Sequence, residues 1–174
     1  TQEAQELRLP IVGTFEDIKE VREYFHRNIY VSNNVRQYIG EILVRAKEPW
    51  KYKGVMQYLA QNSETNVLSR MFESHEHASL IRASVMGRGI THLEGAARML
   101  AASNYRDYVT PDDVTKALLN TCAHRMDFAL PLVEEYVAEK SISVISDARR
   151  QIAADLLRVA EADARLAMLK EGVL

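Results

Sequence analysis

Arg88, set between Gly87 and Gly89 just ahead of an amphipathic segment, is the residue of this chain best suited to chemistry. A guanidinium stays charged at any relevant pH, and its fixed fork of donors matches phosphate oxygens. A helix N-terminus would add partial positive charge at the same place. His75-Glu76-His77 offers two imidazoles and a carboxylate, a possible metal set. On a helix, however, residues two apart point in different directions, so the pair reads as solvated surface and no metal site is expected. The lone Cys122, among Leu118, Leu119 and Met126, reads as a small buried hydrophobe. Nucleophilic catalysis finds no support: the chain has neither a G-x-S-x-G elbow nor a glycine-rich loop followed by Lys and Ser/Thr. Asp112-Asp113 and Glu134-Glu135 are sequence neighbours that a helix would splay apart, so they read as a cap and a solvated face. Lys51-Tyr52-Lys53 beside Trp50 has the makings of a strand-stacking site, but a partly buried aromatic at a helix end explains it better.

The elements that must position Arg88 are helices. Residues 1–13 read as an extended lead-in, because Leu9-Pro10-Ile11-Val12-Gly13 discourages a helix. Thr14 then caps a helix to about Arg27 that carries Phe15, Ile18, Val21, Tyr24 and Phe25 at three-to-four spacing. After the extended Ile29-Tyr30-Val31, Ser32 caps a second helix with Val35, Tyr38, Ile39, Ile42, Leu43 and Ala46 in one stripe, and Pro49 stops it. Over 50–86 the pattern suggests short helices around Met56–Leu59 and Val67–Phe72, with a third at Leu80, Ile81 and Val85. The glycines of Gly87-Arg88-Gly89 favour a turn, after which Ile90, Leu93, Ala96, Ala97, Leu100 and Ala101 define an alanine-rich helix to Ser103. In Asn104–Val114, Thr110 is an N-cap, Pro111 suits the first helical position, and Asp112 and Asp113 complement the helix dipole of a segment ending near His124-Arg125. Phe128-Ala129-Leu130-Pro131 interrupts, Leu132–Ala138 is helical, and Ser141 or Ser143 caps a last helix to about Lys170. On that helix Ile145, Ile152, Val159 and Leu166 recur every seven residues, a seam that either packs on its own chain or pairs with another.

The ordered set of these elements resembles the helical lid of AAA+ ATPases, most closely the MoxR-like and magnesium-chelatase-like group. The resemblance rests on Val21 to Ser32, on Val35, Tyr38, Ile39 and Val44-Arg45, and on Arg88 to Arg125 with its "RDYVT" connector and "TPDDV" helix start. Where the family has Ser-Pro before its lid arginine, this chain has Met86-Gly87. The resemblance implies an all-α, AAA+ lid-type bundle over 14–127, a helical insertion at 50–86, and a C-terminal extension over 128–174 that includes the long helix. It implies that Arg88 reaches the γ-phosphate of ATP held by a core domain, with ATP and Mg²⁺ belonging to the parent ATPase and no cofactor bound by this chain itself. The implied partners are that core and the neighbouring subunits of a ring oligomer, with remodelling of a protein client as the output. His124-Arg125 is similar to the basic pair that ends the family's last lid helix. The chain opens on Thr1 instead of methionine, which fits a processed protein or a piece of a longer one, and the resemblance favours the piece.

Composition bounds the alternatives. With 174 residues, 47% apolar and 26% charged, the chain is long enough for one sizeable domain. Its net charge of −2 argues against non-specific nucleic-acid binding, although MCM helicases carry a lid of similar pattern. No apolar run reaches the roughly 20 residues of a membrane span, and the N-terminus has no signal-peptide pattern, so an intracellular location, cytoplasmic or nuclear, is expected. A second functional class stays open: a helical interaction module that binds or dimerises through Ile145, Ile152, Val159 and Leu166.

Overall fold

In the computed structural model, the described residues are 13–62, 65–74, 80–85 and 87–174. The lead-in before Gly13 and His75-Glu76-His77 lie outside them. Among the described residues the fold is helical, with one two-stranded sheet: α1 (Phe15–Asn28), α2 (Asn33–Lys47), α3 (Lys53–Gln61), α4 (Asn66–Ser74), β1 (Ile81–Ala83), α5 (Arg88–Ser103), α6 (Pro111–Cys122), β2 (Asp127–Phe128), α7 (Leu130–Lys140) and α8 (Ile145–Lys170). The all-α expectation holds.

Capping fixes the helix starts. The Thr14 hydroxyl accepts from the Asp17 N–H while the Asp17 carboxylate accepts from the Thr14 N–H, a reciprocal box that satisfies two first-turn donors of α1. Thr110 and Asp113 build the same box at α6, behind Pro111. The α2 stripe is buried along its whole length, from Val35 to Ala46. The connectors of the two helical pairs clasp each other: Tyr30 donates to the Asp107 carbonyl at 2.7 Å, and Val109 donates to that of Tyr30 at 2.9 Å. This short parallel bridge joins chain segments nearly eighty positions apart.

Of the segment expected to form a helix at Leu80, Ile81 and Val85, Leu80 is helical but Ile81–Ala83 is strand β1, antiparallel to β2. A short apolar run is compatible with either period, and here the β2 partner decides. Pro131 does not interrupt α7, which begins at Leu130, because a proline in the first turn lacks only an N–H that would be unpaired anyway. Neither Ser141 nor Ser143 caps α8. Ser141 closes α7 in the left-handed region (φ 53°), and Val144 occupies the α8 N-cap position without a side-chain bond.

The core runs through both the lid-like segment and residues 128–174. α8 lies along α2 and also touches α3, α6 and α7. Its buried face is Ala148, Ile152, Ala153, Leu156, Leu157, Ala160, Ala164 and Met168, a stripe wider than a seven-residue seam because several helices cover it. Of the heptad residues, Ile152 is fully buried and Val159 packs against the core, whereas Ile145 and Leu166 are exposed. The four do not form one free stripe for another chain. Ile152→Val should therefore lower stability by about 1 kcal/mol in urea unfolding and leave the solution mass unchanged; a drop in mass without loss of stability would place the residue in an interface.

Gly54 lets α3 approach α8, since a Cβ there would fall 1.7 Å from an Asp163 carboxylate oxygen. Asp163 in turn accepts from Nε of the buried Arg45 at 2.9 Å. Trp50 packs on Phe72 with ring centres 6.0 Å apart, as a half-buried aromatic at a helix end. Cys122 is buried, and loss of solvation pushes its thiol up to about 11, which keeps it protonated.

Candidate lid arginine and the groups that place it

Arg88 is the first residue of the sixteen-residue helix α5. The turn before it depends on Gly87, whose φ of +54° and ψ of −98° lie where side chains are strained. Gly89 is needed for a second reason: a Cβ there would meet Val85 Cγ1 at 2.0 Å, so the chain leaving β1 passes hard against the first turn of α5. Arg88 is thus delivered to the surface by a turn that only glycine satisfies on either side. It is exposed and makes no hydrogen bond or ion pair with the described residues. In the first turn, Ile90 and Thr91 donate to the Gly87 carbonyl, while the N–H groups of Arg88 and Gly89 precede the helix's own acceptors. Gly87→Ala should cost about 1–3 kcal/mol of stability, read by chemical denaturation; an unchanged midpoint would mean that the turn tolerates a side chain.

α5 is held on its other faces. Leu93, Ala97 and Ala101 are buried, and the small side chains let α5 pack along α6. Buried Arg98 donates to the Ile29 carbonyl at 3.2 Å and pairs with Glu94 at 2.6 Å. Glu94 also meets Arg36 of α2 at 3.4 Å. One turn along from Arg88, Nδ1 of His92 lies 3.2 Å from Nη2 of Arg125.

Two clusters escaped the sequence reading. Arg106, in the connector, grips Asp113 with both arms, Nη1 to Oδ2 at 2.8 Å and Nη2 to Oδ1 at 2.7 Å. Asp113 is buried, whereas Asp112 is exposed, so the adjacent carboxylates are splayed as expected. Thr110 was expected as the N-cap and Asp112 and Asp113 as complements of the helix dipole, but nothing in the sequence announced the reciprocal box with Asp113 or its partner Arg106. The second cluster surrounds Arg165 of α8, which donates to Asp112 at 2.8 Å, Thr115 at 3.2 Å, Glu161 at 3.1 Å and Tyr38 at 3.3 Å. Tyr38 donates to the same Glu161 carboxylate, and burial together with that acceptor pushes its hydroxyl up to about 12. The bonds between helices tie α2, α6 and α8 together, with partners 50 to 127 positions apart.

Among the described residues no group of three or more metal-type side chains converges, and no helix is long and apolar enough to cross a membrane. Residues 74–145 match the family described as AAA lid domain, a span that contains Arg88, α5 and α6. A crystal structure of a protein from Cytophaga hutchinsonii ATCC 33406, assigned provisionally as an ATPase, is similar to this chain with a TM-score of 0.52 and 22% identity, over 82% of this chain and 34% of that one. This chain therefore spans about a third of that protein's length. The search of curated proteins returns no match. The family match puts an AAA lid domain at residues 74–145, and the helical fold is consistent with it.

Proposed function

We propose that this chain is the lid of a MoxR-like AAA+ ATPase, closing over ATP held by a core domain, and that Arg88 reaches the γ-phosphate. The observation that carries the reading is Arg88 itself: exposed, without a partner among the described residues, and held at the opening of a long helix within the matched span. The donor set fits a phosphate oxygen. The guanidinium fork supplies charge and directed donors, and the first-turn N–H groups of the helix add partial positive charge beside it. ATP supplies the phosphoryl group whose transfer to water drives the motor, and the core holds the β-phosphate and Mg²⁺.

The body behind Arg88 suits it to transmit motion. α5 packs on α6, the Arg165 cluster binds α6 to α8 and α2, and the Tyr30–Val109 clasp closes the connectors on each other. A pull on Arg88 therefore moves the bundle, not one loose helix. In a ring oligomer that movement carries hydrolysis to neighbouring subunits or to a protein client. The test is ATP turnover by the lid joined to its core, wild type against Arg88→Ala, and undiminished turnover in the variant would refute the assignment.

A further inference from the structure

α1 leaves its apolar side largely uncovered. None of its residues is buried, and Ile18 and Val21 remain 65% and 51% exposed. Across from them Met99 of α5 is 58% exposed. Between α1 and the α5–α6 pair lies an open groove of about 900 Å³, with these residues and Phe25 on its walls. Exposed apolar side chains gathered in a concavity ask for a cover.

The charge around the groove says which cover. Arg22, His26, His92, His124 and Arg125 line it, with Arg98, and the only carboxylate among the lining residues is Asp17. Asp17 keeps its negative charge while accepting from Thr14, and Arg98 is paired with Glu94, so Arg22 and Arg125 leave the lining with a small positive excess. Arg22 has no ion pair with the described residues. Nε of Arg125 is buried without an acceptor among the described residues. A second copy of this chain would bring the same basic lining against itself, which like-charge repulsion disfavours. The groove is concave and runs beside α1, a helix about 20 Å long, a shape for a helix and not for a flat bilayer.

We propose that this groove docks an acidic amphipathic helix of a partner protein, apolar side inward and carboxylates against Arg22, His124 and Arg125. The groove begins one turn along α5 from Arg88, at Thr91 and His92, and helix docking there does not rest on the ATPase reading.

The experiment is fluorescence anisotropy of the 174-residue chain with a labelled helical peptide of about 14 residues, leucines on one face and glutamates on the other. Saturable binding is expected, weakened by salt, with a lysine-for-glutamate peptide binding poorly. Val21→Asp and Met99→Asp should each weaken it roughly tenfold, and Arg22→Glu should weaken it too. These side chains are exposed, so circular dichroism should show the variants folded. Equal binding of acidic and basic peptides, or indifference to all three substitutions, would overturn the proposal. So would self-association abolished by Met99→Asp, or anionic vesicles outcompeting the peptide.

Discussion

Replacing Asp113 by alanine lowers the stability of this chain by about 3 kcal/mol, combining a lost helix cap with lost charge-assisted hydrogen bonds at a buried carboxylate. Asp113 receives two bonds from Arg106 and two from Thr110, through its N–H and its hydroxyl. No neighbour replaces the acceptors once they are gone, because the side chain is buried at the start of α6. The same residue sets a pH dependence. Burial by itself would raise its pKa, but the bonds from Arg106 and Thr110 outweigh burial and hold the carboxyl below its ordinary 3.8. A carboxyl lowered on folding adds stability that is present above its unfolded value and lost as pH falls through the folded one. Urea unfolding should show wild type well above Asp113→Asn at neutral pH, with the gap narrowing below pH 3.8. A gap that stays constant with pH would mean that the carboxylate charge contributes nothing.

The second large effect concerns activity. In the lid joined to its core, Arg88→Ala should lower kcat for ATP hydrolysis on the order of 100-fold, as for loss of a single oriented donor aimed at developing charge. The loss should fall on kcat more than on KM, because the core carries most of the nucleotide contacts. Arg88→Lys should recover only part of it, since an ammonium keeps the charge but not the fork. The substitution should leave stability unaltered, as Arg88 is exposed and unpaired among the described residues. A fall in stability that matched the fall in rate would assign Arg88 a structural role instead.

Much of the fold was legible because its signals are local. Thr14, Ser32 and Thr110 are caps three residues ahead of their donors, and the stripe of α2 repeats at helical spacing. What was not legible depends on partners far along the chain. Ile81–Ala83 is a strand only because Asp127–Phe128 lies beside it. The seven-residue repeat of α8 left own-chain packing and pairing with another chain both open, because the sequence cannot say which helices lie against α8. α1 misleads in the opposite direction: Phe15, Ile18, Val21 and Tyr24 have the spacing of a core helix yet stay exposed. At the candidate site, Arg88 was singled out by the resemblance to the family's lid arginine, whereas the two glycines around it by themselves read only as a turn. The Arg106–Asp113 fork and the Arg165 cluster were not, because no short pattern encodes which arginine meets which carboxylate.

The most direct test of the lid assignment is to sequence the native transcript upstream of the codon for Thr1. The account predicts an in-frame phosphate-binding loop of the G-x-x-x-x-G-K-[ST] type, followed by an acidic Mg²⁺ site. A start codon beside Thr1, or an unrelated domain in that place, would contradict it.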